Sequence, residues 1–270
     1  MTDTDTADVS AAASTGSDLV VTLADSVGVV QLRRPPANHF DEEVVGRIVD
    51  AARELDEDKR CRVLVLASEG KHFCAGADFR AGGGFDGDRV VAAGRLYRRA
   101  LQLFDIRTPI IAAVQGGAVG GGLGLACAAD FRVVDEGSWF AANFVRLGFH
   151  QGFGLSVTLP DLVGRQVAAD MMLTGRRVGG AEAVRVGLAD RLAEPGGQRA
   201  VALAWAGVIA AGAPLAVRSI RATLRADLAA RVRDALEHEL AEQAVLWQTR
   251  DSDEGIAASL ERRDPVFLGE

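Results

Sequence analysis

Thr108–Ala126 reads TPIIAAVQGGAVGGGLGLA. Its first half, Pro109–Val114, is a short apolar run of the kind a strand shows when both its faces are covered. Its second half packs glycines together and then becomes Leu- and Ala-rich, the signature of a loop that enters a helix at Gly121 or Gly122. Glycine there permits positive φ and close backbone approach by a ligand. A helix that begins at such a point presents unpaired N–H groups and the positive end of its dipole.

Outward from this stretch the same texture repeats. Arg62–Ala67 (RVLVLA) is a second buried strand, followed by the glycine-containing loop His72–Asp78 (HFCAGAD) and a helix from about Arg89 to Phe104. Phe131–Val134 is a third strand. Strand–helix–strand repetition predicts an α/β fold of βαβ units with right-handed crossovers. Upstream, Leu19–Leu23 and Val27–Leu32 flank an Asp-Ser turn and predict a hairpin. Asp41 opens an amphipathic helix in which Val44, Val45, Ile48, Ala51 and Leu55 recur at helical spacing. Beyond Leu155 the pattern is helical over Leu155–Leu162, Gln166–Leu173, Gly180–Val186, Gln198–Ala211 and Pro214–Gln248. Met1–Asp18 has almost nothing to bury and reads as a disordered tail.

The bulk numbers narrow the function. Of 270 residues, 49% are hydrophobic and 25% charged, enough for one large folded unit. A formal net charge of -7 argues against nucleic acid or an anionic membrane as the main partner. Cys61, Cys74 and Cys127 form no CxxC pair, which predicts a reduced, cytoplasmic setting. The start of the chain lacks the basic and apolar regions of a signal peptide, and no apolar run is long enough to span a bilayer. No His/Cys/Asp/Glu set has metal-ligand spacing, so no metal is expected.

Two glycine loops beside two buried strands place backbone donors where they can converge on one oxygen. The same loops also suit plain tight packing, or a phosphate. Neither fits GxxxxGK[ST], and GGAVGGGLG approximates GxGxxG only loosely, with no acidic residue ending a second strand.

Arg34-Pro35 followed by Asn38, the FCAGAD loop, TPIIAAVQGGAVGGGLGLA with Asp130, and the ending EGIAASLERRDPVF occur together in this order. In this the chain resembles the crotonase (enoyl-CoA hydratase/isomerase) superfamily, from about residue 19 to 267. The resemblance implies a spiral core of ββα repeats over 19–200 and a C-terminal helical trimerisation region over 201–270, after a tail of 1–18. It implies homotrimers or hexamers, and an acyl-CoA thioester as substrate, with coenzyme A part of that substrate and no separate cofactor. Fatty-acid or aromatic and alicyclic acyl-CoA metabolism, and a lyase or isomerase, are the implied settings. Ala77 N–H and Gly121 N–H fall on the family's oxyanion donors, and the Ala75 carbonyl on its contact to the adenine. Gly76, Asp78 and Gly120 lie on the same binding loops.

The departures are as informative. Hydration needs one carboxylate to take a proton and one to give it. The family's two glutamate positions are Gly124 and Phe144 here, so ordinary hydratase activity is not expected, and isomerase activity is weakened. His150 and Tyr97 are the candidate replacements, the first as a base near pH 7 and the second as a phenol donor. Each has a plain alternative, His150 bonding a loop carbonyl and Tyr97 packing in the core. Gln151 could orient a water or a carbonyl. Dehalogenase and serine-peptidase branches are disfavoured, because Gly152 and Tyr97 occupy the dehalogenase positions and no serine follows the glycine turn. Asp130 is expected to brace the helix it follows. The resemblance places Arg262 at a neighbouring subunit's CoA phosphates, with Arg263 solvated. His39 and His72 read as surface residues or supports behind the site. A non-catalytic acyl-CoA-binding protein and a thioester hydrolase remain the alternatives.

Overall fold

The computed structural model describes residues 18–80 and 88–270. The expected tail, apart from Asp18, and Asp86 in the loop before the Arg89 helix lie outside the described residues. A six-stranded sheet carries β1 (Leu19–Ala24), β2 (Val27–Leu32), β3 (Val63–Ser68), β4 (Ile110–Ala113), β6 (Phe131–Asp135) and β9 (Arg191–Ala193), in the order β1-β2-β3-β4-β6-β9. Only β1 and β2 pair antiparallel; each later neighbour is parallel. A smaller sheet orders β5 (Gly117–Val119), β7 (Trp139–Ala141) and β8 (Arg177–Gly179) as β5-β7-β8. This is the mixed α/β fold that the strand–helix repetition predicts.

The predicted hairpin forms about Asp25 and Ser26, whose φ angles of 49° and 64° give the two-residue turn that matches strand twist. The continuous apolar strands are buried on both sides. Along β3, Val63, Val65 and Ala67 meet one layer while Leu64 and Leu66 meet the other. On the first side lies α6 (Gln198–Ala210), through Ala202, Ala206 and Ala210. On the second lie α1 (Glu42–Glu57), α2 (Arg89–Ala100) and α3 (Gly121–Ala128). Asp41 caps α1 by accepting the Val44 N–H at 2.9 Å. The domain boundary expected after residue 200 therefore falls inside a helix that covers the core sheet.

Leu155–Leu162 and Gln166–Leu173 form as the two parts of α4 (Leu155–Thr174), separated by a kink at Gly164, where φ of 76° and ψ of 160° leave helical geometry. One helical expectation needs correction. Pro214–Gln248 instead divides into α7 (Pro214–Leu224) and α8 (Leu228–Leu246). Arg225 leaves helical geometry there, and its guanidinium holds Asp130 at 2.8 Å and the Ala128 carbonyl at 3.0 Å. The elements α5 (Gly180–Val186) and α9 (Arg250–Glu261) complete the chain. Among the described residues no single helix is long and apolar enough to cross a membrane.

Candidate active site

Both glycine loops meet at one cavity of about 280 Å³, lined by Ala75, Gly76, Ala77, Asp78, Gly120 and Gly121 among others. The first loop is held on both flanks. Cys74 bridges to Ala118 of β5, and Ala77 bridges to Phe40. Asn38, fully buried, fastens the chain before Phe40 by donating to the Glu69 and His72 carbonyls at 2.7 and 2.6 Å. This is the physical content of the Arg-Pro…Asn motif.

The second loop turns at Gly120, whose φ of 55° and ψ of -118° suit a residue without Cβ. α3 begins at the next residue, so Gly121 is its first and has no intrahelical acceptor for its N–H. A methyl group added to Gly76 would lie 3.4 Å from Gly121 N and 2.8 Å from the Val119 carbonyl. One added to Gly122 would meet the Cys74 carbonyl at 2.0 Å. The two loops are thus in backbone contact, and glycine at these points is what allows it. Among the described residues neither the Ala77 nor the Gly121 N–H is engaged by a protein acceptor.

The wall beyond these donors is aromatic. Phe40, Tyr97, Phe144 and Phe149 all line it. Phe144 and Phe149 meet edge to face at 5.8 Å. Gly124 faces no open space: a methyl group there would lie 2.5 Å from Cγ of Phe153 and 2.6 Å from its Cβ. Phe153 is fully buried, packs at 6.1 Å from Phe40 and 6.0 Å from Tyr97, and sits at φ 64°. Its ring fills the volume a side chain at 124 would need. Gly152 is closed in the same way, since a methyl group would come within 2.6 Å of Tyr97 Cε2.

Tyr97 lines the cavity, and Gln243 lies beside its hydroxyl. Burial pushes its phenol well above the usual tyrosine range, so it carries its proton at neutral pH. Behind it, fully buried Glu239 accepts the Gly154 and Ser156 N–H groups at 2.8 and 2.9 Å, and burial raises its carboxyl above the ordinary carboxylate value. His150 and Gln151 are not on this cavity; they line another, with Phe267. The His150 Nδ1 lies 2.8 Å from the Gln151 carbonyl, and Gln151 donates to Ser156 at 3.0 Å. Arg262 does reach the cavity, at the end of α9. Arg263 pairs with Glu254 and Glu261. The Asp130 carboxylate reaches α3 through Arg225: it accepts the Ile110 N–H at 2.7 Å and holds Arg221 and Arg225 at 2.8 Å, and Arg225 in turn donates to the Ala128 carbonyl at 3.0 Å.

Two residues are not evident from sequence, His39 on the cavity lining and Phe153 buried behind it. Phe153 sits between two glycines in LGFHQGFG, a hint of an unusual backbone but not of its position. His39 lines the cavity, with its Nδ1 3.2 Å from the Gly76 carbonyl. Asp78 is held at about 2 by its hydrogen bonds to Arg80, so it is an anion at the cavity edge. Cys74 is buried under the first loop and its thiol is pushed up to about 12, which removes it as a nucleophile at neutral pH.

The arrangement can hold and polarise a carbonyl oxygen, yet among the described residues it offers no carboxylate pair to flank a water. Known proteins of this shape agree with the fold. The (E)-benzylidenesuccinyl-CoA hydratase of Thauera aromatica is 32% identical over 255 residues, covering 92% of this chain and 97% of the relative. The crotonyl-CoA hydratase of Syntrophomonas wolfei is 29% identical over 254 residues, covering 93% and 98%. The crystal structure of an enoyl-CoA hydratase/isomerase from Pseudoalteromonas atlantica T6c superposes with a TM-score of 0.83 at 27% identity, covering 93% of this chain and all of that one. The family model for enoyl-CoA hydratase/isomerase matches residues 22–270. With 249 of 270 residues inside that match, the chain belongs to the enoyl-CoA hydratase/isomerase family.

Proposed function

We propose that this chain binds an acyl-CoA thioester in the 280 Å³ cavity and polarises its carbonyl through the N–H groups of Ala77 and Gly121. The observation that carries the reading is the pair of cavity-lining backbone donors without protein acceptors, one on a strand loop and one at a helix start. A thioester becoming an enolate or a tetrahedral oxyanion gains charge on that oxygen. Donors already fixed in place stabilise the charge without reorganising. The adenine of CoA lies against the Ala75 carbonyl and its phosphates near Arg262, at the cavity's open edge. Ordinary hydration is not part of the proposal, since Gly124 and Phe144 transfer no protons. The acyl group is instead met by Phe40, Tyr97, Phe144 and Phe149, a lining that suits an apolar or aromatic chain.

One observation favours a second reading, a non-catalytic acyl-CoA-binding protein: Phe153 occupies the volume that a side chain at 124 would need. Mass spectrometry after incubation with crotonyl-CoA and with longer and aromatic acyl-CoAs separates the readings. Double-bond migration, or enolate chemistry on another substrate, supports the enzyme. Free CoA identifies a thioester hydrolase, and binding without turnover across the panel identifies the carrier. Absence of binding to every CoA thioester sinks all of them. In whichever turnover is found, Ala77→Pro removes one donor and lowers the rate by roughly 10²–10³-fold.

Self-association into a trimer or a dimer of trimers belongs to the same reading. It is supported by Leu215, Ile220 and Leu224 of α7, which are 80%, 60% and 80% exposed in the single chain. Light scattering that returns a monomer mass at all concentrations would reject it.

A further inference from the structure

His39 is the cavity's imidazole among the described residues, and it acts on the first loop by a specific route. Its Nδ1 lies 3.2 Å from the Gly76 oxygen. A carbonyl oxygen only accepts, so Nδ1 carries the proton and Nε2 of the neutral ring carries the lone pair. The same oxygen accepts the Phe40 N–H at 3.1 Å. The Gly76 carbonyl and the Ala77 N–H are two ends of one planar amide. Donors on the oxygen draw charge through that amide and make its N–H a stronger donor at the other end. The second donor has a different support: among the described residues the Gly120 carbonyl, which shares an amide with Gly121 N–H, accepts from within the helix turn alone, from Gly124 N at 3.1 Å. Among the described residues, then, the first donor's amide is the one whose oxygen is held by a side chain.

We infer that His39 is a positioning residue that sets the donor strength of Ala77 N–H through the Gly76 carbonyl, so that thioester polarisation falls when the imidazole donor is removed. This rests on the reading of Ala77 as a donor to the thioester. Other charges face His39 from each neighbouring segment. Arg34 donates to the His39 carbonyl at 3.2 Å and to Asp41 at 2.8 Å. Asp78, bound to Arg80, follows the first loop, and Arg262 closes the cavity from α9. Asp78 keeps its charge across the neutral range. Nearby His72 accepts the Gly117 N–H on its Nδ1 at 2.9 Å, and burial holds its pKa below the ordinary imidazole value, so its neutral form is favoured.

The test is the infrared carbonyl band of ¹³C-carbonyl butyryl-CoA bound to the full chain. In the wild type the band moves to lower wavenumber on binding. His39→Asn keeps an N–H near the Nδ1 position, so the downshift stays. His39→Leu removes the donor and reduces the downshift by roughly 10–30%. A wild-type downshift in His39→Leu overturns the inference, and so does a loss in His39→Asn equal to that in His39→Leu. Ala77→Pro separates the two levels: loss of most of the downshift upholds the donor, whereas a full downshift overturns the reading beneath the inference and the inference with it.

Discussion

The two walls of the cavity are built from different material. On one lie the backbone N–H groups of Ala77 and Gly121, on loops brought into contact through glycines. The other is side chain and largely aromatic: Phe40, Tyr97, Phe144 and Phe149, with Phe153 behind. A backbone donor survives any side-chain change that preserves the turn. A carboxylate is lost in one substitution. Under the proposed function, the first wall would preserve carbonyl polarisation while the second is free to change which proton, if any, is moved.

The largest effect that would break this contrast comes from forcing a carboxylate into the aromatic wall. Gly124→Glu alone drives its Cβ into Phe153 Cγ and Cβ, atoms too close to their own backbone to swing away. Overpacking of that kind costs about 1–3 kcal/mol. Phe153→Gly opens the volume and suits the φ of 64°, while surrendering a buried ring. The double variant is expected to recover part of the sum, with a coupling of roughly 0.5–3 kcal/mol in a denaturation cycle. Adding Phe144→Glu to the pair should give measurable hydration of crotonyl-CoA. Strict additivity in the cycle would show that Phe153 does not hold the volume beside Gly124.

A smaller effect sharpens the contrast through pH. Asp78, beside the donor wall, titrates at about 2 in the folded chain against an ordinary 3.8. It binds fewer protons folded than unfolded, so its stabilisation is present above 3.8 and is lost as pH falls toward about 2. Because its partner Arg80 is 66% exposed, the contribution is of order 1 kcal/mol at most. Glu239, behind the aromatic wall, has the opposite sign. Its folded value is raised above 4.5, so its contribution to stability declines as pH rises through 4.5 toward the folded value. Urea midpoints measured from pH 2 to pH 7 should lose part of their acid limb in Asp78→Asn. They should flatten above pH 4.5 in Glu239→Gln. Unchanged slopes in both variants would remove the electrostatic difference between the walls.

Much of the first wall was legible in sequence, and little of the second. RVLVLA and PIIAAV announce strands covered on both faces, and the glycines after them announce backbone contact, because both signals are local. The trade of Gly124 for open space was not legible. Its counterpart is Phe153, 29 positions on, turned inward by a left-handed backbone that composition does not reveal. His39 reads as peripheral for the same reason, since its partner Gly76 lies 37 residues away. His150 looks near the site because it follows Phe144 by six positions. The chain turns between them at Gly148, with φ 77°, and a methyl group there would strike the Asp251 carbonyl at 2.4 Å, so the segment is pinned to α9.

The smallest expected effect therefore belongs to His150. Its ring meets His238 edge to face at 5.8 Å, and its backbone carbonyl accepts Gln243 Nε2 at 2.8 Å. Among the described residues its link to the cavity runs through that last contact, because Gln243 also lies beside the Tyr97 hydroxyl. The contact uses the main chain of residue 150, so shortening the side chain leaves it in place. His150→Ala should keep the turnover of any demonstrated acyl-CoA reaction within about twofold, in line with substitutions away from buried networks. Its pH–rate profile should stay that of the wild type. A loss above tenfold, with the affinity for butyryl-CoA unchanged, would mean that a proton does travel from the α8 side through Tyr97. The aromatic wall would then be a conduit instead of a barrier, and the contrast between the two walls would fail at the point where it is strongest.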